Sequence, residues 1–291
     1  MKILLIEPYW NESHKHWTKG FQYHSDWEIR LLALPGRHWK WRMHAAAISL
    51  AAQWRQLDWH PDVVIASEMM DLALFKSLCR DLISDTPLWL YFHENQLTYP
   101  FSDRDTDRLQ QRDNHYAFIN FSSMLVADHL IFNSHFHRDA FLGAIPDWLR
   151  QFPRPELPVD LEVLSLKTSV IPPGLFFSDI DVCEGENKGG IPVILWNHRW
   201  EYDKNPELFF ETLIELAERG LSFRLVVLGA SHSKVPDIFS SAKDTLDSKI
   251  LHWGYVDDQQ AYYQWLKKCD IVISTSQQEF YGISVLEAVY A

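Results

Sequence analysis

Short apolar runs recur along the chain, each closing in a polar segment: KILLIE (2–7), EIRLLALP (28–35), DVVIAS (62–67), PLWLYFHE (87–94) and HLIFNS (129–134). Runs of this length suit parallel strands buried on both faces. Between most of them lie stretches of helical periodicity, such as MHAAAISLAAQWRQL (43–57) and MDLALFKSLCRDL (70–82). Strands alternating with helices predict an open α/β sheet with both faces covered. Prolines crowd 143–174, and CEGENKGG (183–190) reads as a surface linker. The pattern then restarts. IPVILWNHRW (191–200), FRLVVLGAS (223–231), KILHWGYV (249–256) and CDIVISTS (269–276) are strand-like, NPELFFETLIELAERG (205–220) is an amphipathic helix closed by glycine, and AYYQWLKKC (261–269) is helical. The expected organisation is one Rossmann-like domain over 1–172, a linker over 173–190 and a second such domain over 191–291. The two face a central cleft where ligands meet the carboxyl ends of the strands.

Composition bounds the function. With 47% hydrophobic and 23% charged residues the chain is globular, and at 291 residues it is long enough for two cores. A net charge of −12 argues against a strongly basic nucleic-acid binder. Residues 1–170 carry 17 Lys and Arg against 21 Asp and Glu, the remainder 10 against 18, and eleven of the 14 His lie in the first part. The two parts therefore differ in chemistry. Three Cys without paired or metal-type spacing, an N-terminus too quickly polar for a signal peptide, and no apolar run of membrane length make a cytoplasmic protein off the membrane the expectation.

Candidate binding groups follow the strands. Arg199 and Lys204 come after the strand at 191–196, where a guanidinium fork and an ammonium point charge could clamp two phosphates, or simply lie on a solvated loop. Gly282, Ile283 and Ser284 precede ISVLEAVYA, so their amides would open a helix and favour an anion. Glu279 and Glu287 flank that turn. A carboxylate accepts two hydrogen bonds from a vicinal diol, although Glu287 also suits an ordinary first-turn glutamate. In the first domain, GRHWKWRMH (36–44) interleaves Arg37, Lys40 and Arg42 with Trp39 and Trp41. Such a loop offers cations to phosphates and rings to the bases of single-stranded RNA, or binds a protein partner. Ser13, His14, Lys15 and His16 would extend that surface. YFHENQLTYP ends a strand with His93, Glu94, Asn95 and Gln96, a donor and acceptor set for a polyol, and Tyr99 could stack on an acceptor ring.

These segments carry a resemblance over essentially the whole chain. EFYGISVLE resembles the E-x7-E signature of retaining GT-B glycosyltransferases of the GT4 type, NHRWEYDKNPELF their Arg-to-Lys donor-phosphate loop, and SVIPPG their interdomain link. EPYWNESHKHW, LPGRHWKWRMHAAA, YFHENQLTYP and FNSHFHRDAF resemble the tRNA-queuosine mannosyltransferases in particular. The resemblance implies GDP-mannose as donor and the cyclopentenediol of queuosine in tRNA-Asp as acceptor. It places Arg199 and Lys204 on the diphosphate, Glu287 on the nucleotide ribose, Glu279 and His93 at the hexose as catalytic residues, and Gly282 with the amides after it at sugar hydroxyls and phosphate. Where related enzymes often carry paired glycines in the first loop, this chain has Trp10-Asn11-Glu12-Ser13.

The implied reaction retains configuration by front-face attack, the departing phosphate taking the acceptor's proton. Cations and hydrogen-bond donors suit that scheme better than a strong base. Asp103, Asp105 and Asp107 lie among basic residues in a polar loop and read as a solvated charge run, so neither a metal nor a cofactor is expected. A transferase using another nucleotide sugar or a small-molecule acceptor is the alternative within enzymes; a catalytically silent RNA- or sugar-nucleotide-binding protein is the alternative outside them. The second domain has four convincing strands when the chain stops inside the helix bearing Glu287, so an incomplete donor domain is expected.

Overall fold

The computed structural model describes residues 1–100, 114–153, 159–175, 177–182, 190–231 and 235–291. Asp103, Asp105 and Asp107, Cys183 and residues 176 and 183–189 of the expected linker lie outside them. The chain forms two compact units, Met1–Gly174 and Leu175–Ala291.

In the first unit, strands β1 (Lys2–Trp10), β2 (Glu28–Pro35), β3 (Val63–Ser67), β4 (Leu88–Phe92), β5 (His129–Phe132) and β6 (Thr168–Val170) form a parallel sheet in the order β2-β1-β3-β4-β5-β6. Because successive side chains of a strand point to opposite faces, each apolar run splits between two cores. Leu4, Ile6, Val64, Ala66, Leu90 and Phe132 pack in the larger one, with Ala47 and Leu50 of the helix Trp39–Trp54 and Phe121 of the helix Asn114–Val126. Ile3, Leu5, Val63, Ile65, Tyr91 and Ile131 face the opposite way, against Trp17 and Phe21 of the helix Glu12–Tyr23.

The second unit repeats the scheme with β7 (Val193–Asn197), β8 (Arg224–Leu228), β9 (Ile250–Gly254) and β10 (Ile271–Val272), all parallel, in the order β10-β7-β8-β9. Ile194, Trp196, Leu225 and Val227 pack on Phe209, Phe210 and Phe239; Leu195, Val226 and Leu228 face Tyr263 and Leu266. Gly229 ends β8 at φ 136°, where a Cβ would lie 1.8 Å from the His198 carbonyl oxygen. Only glycine lets the ends of β7 and β8 approach so closely. No helix among the described residues is long and apolar enough to cross a membrane.

Three expectations change. The basic and aromatic segment 36–44 is mostly helix, beginning at Trp39 after His38 in the left-handed conformation. A buried stripe of Met43, Ala46, Ala47 and Leu50 continues the helix toward its N-terminus. The Pro-rich stretch contains the helix His135–Leu149, which runs through Pro146, the helix Leu161–Leu166 capped by Asp160, and the edge strand β6. The strand expected over 269–276 pairs only at Ile271–Val272, because the chain turns away to bond a neighbouring turn: Thr275 Oγ1 donates to the Lys204 carbonyl (2.8 Å) and the Gln277 amide to the Asp203 carbonyl (2.9 Å).

Candidate active site

In the second unit, the segment after β7 enters a 3-10 turn (Tyr202–Lys204), passes Asn205 in the left-handed region and starts the helix Pro206–Glu218. The turn buries Lys204 to 7% exposure, which a lysine tolerates only when paired. Its Nζ lies 2.8 Å from Glu279 Oε1 and 3.0 Å from Oδ2 of the buried Asp203. Glu279 Oε1 also accepts from Ser276 Oγ (3.0 Å) and lies 3.5 Å from His198 Nδ1. Burial, opposed by Glu279, holds His198 down at about 4, so it is neutral near pH 7. Arg199 stays outside this knot, half-exposed, with Glu201 Oε2 3.3 Å away. Lys204 and Glu279, expected as phosphate and hexose ligands, thus hold each other.

Gly282, at φ 77°, opens the helix Ile283–Tyr290, a conformation glycine adopts without strain. The amides of Ile283 and Ser284 fall in its first turn, where N–H groups lack an intrahelical acceptor. The Ser284 hydroxyl is committed elsewhere, which leaves the expected role of its amide untouched: it donates to the Asn197 carbonyl (2.7 Å), and Asn197 Nδ2 donates back to the Ser284 carbonyl (2.8 Å). Asn197 Nδ2 also donates to Tyr262 Oη (2.9 Å), and Tyr262 Oη donates to Glu287 Oε2 (2.8 Å). Burial raises the Glu287 carboxyl while the tyrosine's hydrogen bond lowers it. Glu287 is therefore a pre-oriented carboxylate, not an unconstrained first-turn glutamate.

In the first unit, strand parity assembles the site. Glu7, Ser67 and His93 continue the positions of Leu5, Ile65 and Tyr91, so all three emerge on the face covered by the helix Glu12–Tyr23. Glu7 is fully buried; its Oε1 accepts from Ser67 Oγ (2.8 Å) and the Tyr9 amide (3.2 Å) and lies 2.9 Å from His14 Nδ1. The last is a close charge contact whose angle falls short of hydrogen-bond geometry. Burial works to lower the His14 imidazole, but the close negative charge of Glu7, helped by Glu68 and Glu94, pushes it up to about 9. Burial and the His14 charge hold His93 well below its ordinary value. The two rings lie 4.1 Å apart, and Trp17 meets His93 edge-on at 4.7 Å.

The loop after His93 is held from behind. The Glu68 carboxyl oxygens accept from the His93 and Glu94 amides (3.1 and 3.2 Å), Asn133 Nδ2 donates to the His93 carbonyl (2.8 Å), and Asn120 Oδ1 accepts from the Gln96 amide (2.8 Å). Asn95 and Gln96, expected to meet an acceptor, are buried and used internally. Asn95 Oδ1 accepts from the Leu97 and Thr98 amides (3.0 and 2.8 Å), and Gln96 Nε2 donates to Glu94 Oε1 (2.9 Å). Glu94 and Tyr99 remain partly exposed. His14 likewise leaves the expected basic surface for the interior, while Ser13 is exposed and Lys15 pairs with Glu12 (2.6 Å). Of the segment 36–44, Arg37 is exposed and Trp41 is 65% exposed; Trp39 packs on Tyr116 at 4.9 Å, Lys40 Nζ lies over both rings, and Arg42 Nε donates to the Pro35 carbonyl (3.4 Å).

Glu7, Glu68, Asn197, Asp203 and Tyr262 escaped sequence reasoning. A charged residue closing an otherwise apolar strand, as Glu7 closes KILLIE, was the available signal, because burying such a group demands a partner.

Comparison with known proteins fits these features. Residues 2–175 match the family described as tRNA-queuosine alpha-mannosyltransferase N-terminal, and residues 183–291 match glycosyl transferases group 1. A Drosophila melanogaster tRNA-queuosine alpha-mannosyltransferase is 33% identical over 300 residues, covering 99% of this chain and 77% of that one. Among solved structures, the Candida albicans trehalose-6-phosphate phosphatase N-terminal domain aligns at TM-score 0.72 (12% identity; 99% of this chain, 80% of that one). A lipopolysaccharide outer core galactosyltransferase aligns at 0.59 (13%; 100% and 78%), and Anabaena HepE, solved with UDP, at 0.60 (14%; 100% and 78%). These structural likenesses speak to fold alone. With both families matched in order and a third of its residues shared across nearly its whole length, the chain is a glycosyltransferase of the GT-B fold and belongs to the tRNA-queuosine alpha-mannosyltransferase family.

Proposed function

We propose that the protein transfers mannose from GDP-mannose, with retention, to the cyclopentenediol of queuosine in tRNA-Asp. The observation that carries this reading is the paired carboxylate arrangement after β10: Glu287 is oriented by Tyr262, and Glu279 shares Lys204 with Asp203. Glu287 takes the ribose diol. The diphosphate draws Lys204 from Glu279, which turns to the hexose hydroxyls, and Arg199 and the amides at Gly282, Ile283 and Ser284 complete the anion's shell. The bond from the anomeric carbon to phosphate breaks as the acceptor oxygen bonds that carbon on the same face, and the acceptor's proton passes to the departing phosphate oxygen. Cations and amides stabilise the leaving diphosphate, so the scheme calls for no metal.

His93 faces the sugar, Glu94 and Tyr99 meet the acceptor, and the exposed Trp41 with Arg37, Lys40, Arg42, Ser13 and Lys15 binds the anticodon loop by stacking and charge. The family relationship and this oriented donor grip support the reading, and a tRNA substrate puts the enzyme in the cytoplasm or another tRNA-bearing compartment. The test is incubation with queuosine-containing tRNA-Asp and either GDP-mannose or UDP-mannose, followed by nucleoside mass spectrometry. Mannosylqueuosine from GDP-mannose alone is expected. Product only from the uridine donor, or tight tRNA binding without product, refutes the assignment.

A further inference from the structure

The Glu7–His14 pair is buried machinery that the donor chemistry does not account for. A carboxylate fully removed from water inside a parallel strand costs several kcal/mol unless partners compensate it. Oε1 has them: the Ser67 hydroxyl, the Tyr9 amide and the His14 ring. Oε2 has no hydrogen-bond partner and points toward His93 Nε2, itself buried and unbonded, 3.8 Å away. The imidazolium of His14 lies against the His93 ring, so a second positive charge on His93 is disfavoured. A neutral imidazole has one N–H, and the field of a facing carboxylate draws it to the nearer nitrogen.

We propose that Glu7 and His14 are positioning residues that hold His93 neutral in the Nε2–H tautomer, presenting Nδ1 as an acceptor for a hydroxyl of the donor sugar. Glu7 sets the proton by facing Nε2, and His14 both neutralises Glu7 and blocks a second charge on the neighbouring ring. Trp17 and Tyr91 flank the His93 ring at 4.7 Å each and limit its rotation, while Asn133 and Glu68 hold its backbone. The catalytic consequence rests on the placement of His93 at the donor sugar; the tautomer itself does not.

The test uses the full chain with 15N-labelled histidine, His93 being assigned by its loss in His93→Ala. Long-range 1H–15N correlation reads which nitrogen carries the proton. Wild type is expected to show a protonated Nε2 and an unprotonated Nδ1. Glu7→Gln, which keeps the shape, is expected to populate the other tautomer and to lower kcat about 10- to 100-fold with a smaller change in KM for the sugar nucleotide. His14→Gln keeps Glu7 facing Nε2 but lifts the block on a second charge, so the same spectrum is expected to show Nε2 still protonated and Nδ1 gaining a proton near neutral pH. A proton on Nδ1 in wild type, a tautomer unmoved by Glu7→Gln, or a His93 protonation state unmoved by His14→Gln overturns the proposal whatever the activity. A tautomer that moves while transfer is unchanged removes His93 from the donor sugar, and with it the positioning role. Because Glu7, His14 and His93 offer ligand atoms within 4.8 Å of one another, metal content is measured on the same samples. One tightly bound transition metal per chain, lost in Glu7→Gln, would make these atoms a ligand set and overturn the ion pair.

Discussion

Replacing Glu279 by Gln should tighten GDP and erode the advantage of GDP-mannose over it. In the free protein Glu279 Oε1 sits 2.8 Å from Lys204 Nζ. Two unit charges at that distance attract by about 6 kcal/mol at an effective dielectric constant of 20. Most of this is offset by desolvation and by screening at Glu279, whose side chain is 32% exposed. A net hold on the order of 1–2 kcal/mol remains, and a diphosphate must break it to reach Lys204. Gln is isosteric and still accepts from Ser276 Oγ, so Glu279→Gln removes the competing charge with little change of shape. GDP should bind about 5- to 30-fold more tightly. GDP-mannose loses the carboxylate that would receive its hexose hydroxyls, at about 1.5–3 kcal/mol for hydrogen bonds to a charged group, so its advantage over GDP should shrink or reverse. Isothermal titration of both ligands against both proteins reads the two effects. GDP affinity unchanged or weakened in the variant would refute the exchange of partners at Lys204.

Lys204→Met leaves the buried Asp203 without its cation and should cost about 3–5 kcal/mol, seen as a lower urea midpoint in the fluorescence of the second unit, with much of the loss recovered by adding Asp203→Asn. Tyr262→Phe removes the hydroxyl between Asn197 and Glu287 and should cost about 1–3 kcal/mol in thermal unfolding. The same variant should distinguish GDP from its 2′-deoxy analogue less well than wild type; an undiminished preference would detach Glu287 from the ribose. Stability of the first unit should fall as pH rises from about 4.5 to 9, most steeply between 6.5 and 8, where both His14 and Glu68 contribute. His14, pushed up to about 9, contributes stability that is complete below its unfolded value of 6.5 and is lost as pH rises through 9, and Glu68, pushed up to about 8 chiefly by burial, favours the folded state only while protonated. The loss should be on the order of a few kcal/mol, and melting temperatures that stay flat across this range would refute the charged state assigned to His14.

The turns that carry the donor-site candidates were legible in the sequence because their parts are local. Gly282, Ser284 and Glu287 share one turn and one short helix, and Arg199 and Lys204 follow one strand. What sequence reasoning missed there were the groups that restrain them: Asp203 beside Lys204, and Tyr262 behind Glu287 from 25 residues away. On the acceptor side, the burial of Asn95, Gln96 and His14 was not legible, for the opposite reason. Asn95, Gln96 and His14 look like ligands because they are polar and near a strand end. Polarity alone does not tell whether a group meets a substrate or a buried neighbour with the same hydrogen-bonding needs.

Periodicity by itself determined two parallel α/β units, the strands that carry them and the polar segments at their carboxyl ends, since apolar run length and helical spacing are properties of neighbouring residues. Only tertiary structure decided which polar groups converge. Glu7, His14 and His93 are brought within a few ångströms because two strands of one sheet and the helix covering it place them on one face, although 86 positions separate the first from the last. Whether a buried carboxylate finds its compensating charge is a matter of that packing. The same packing decides which nitrogen of His93 holds the proton.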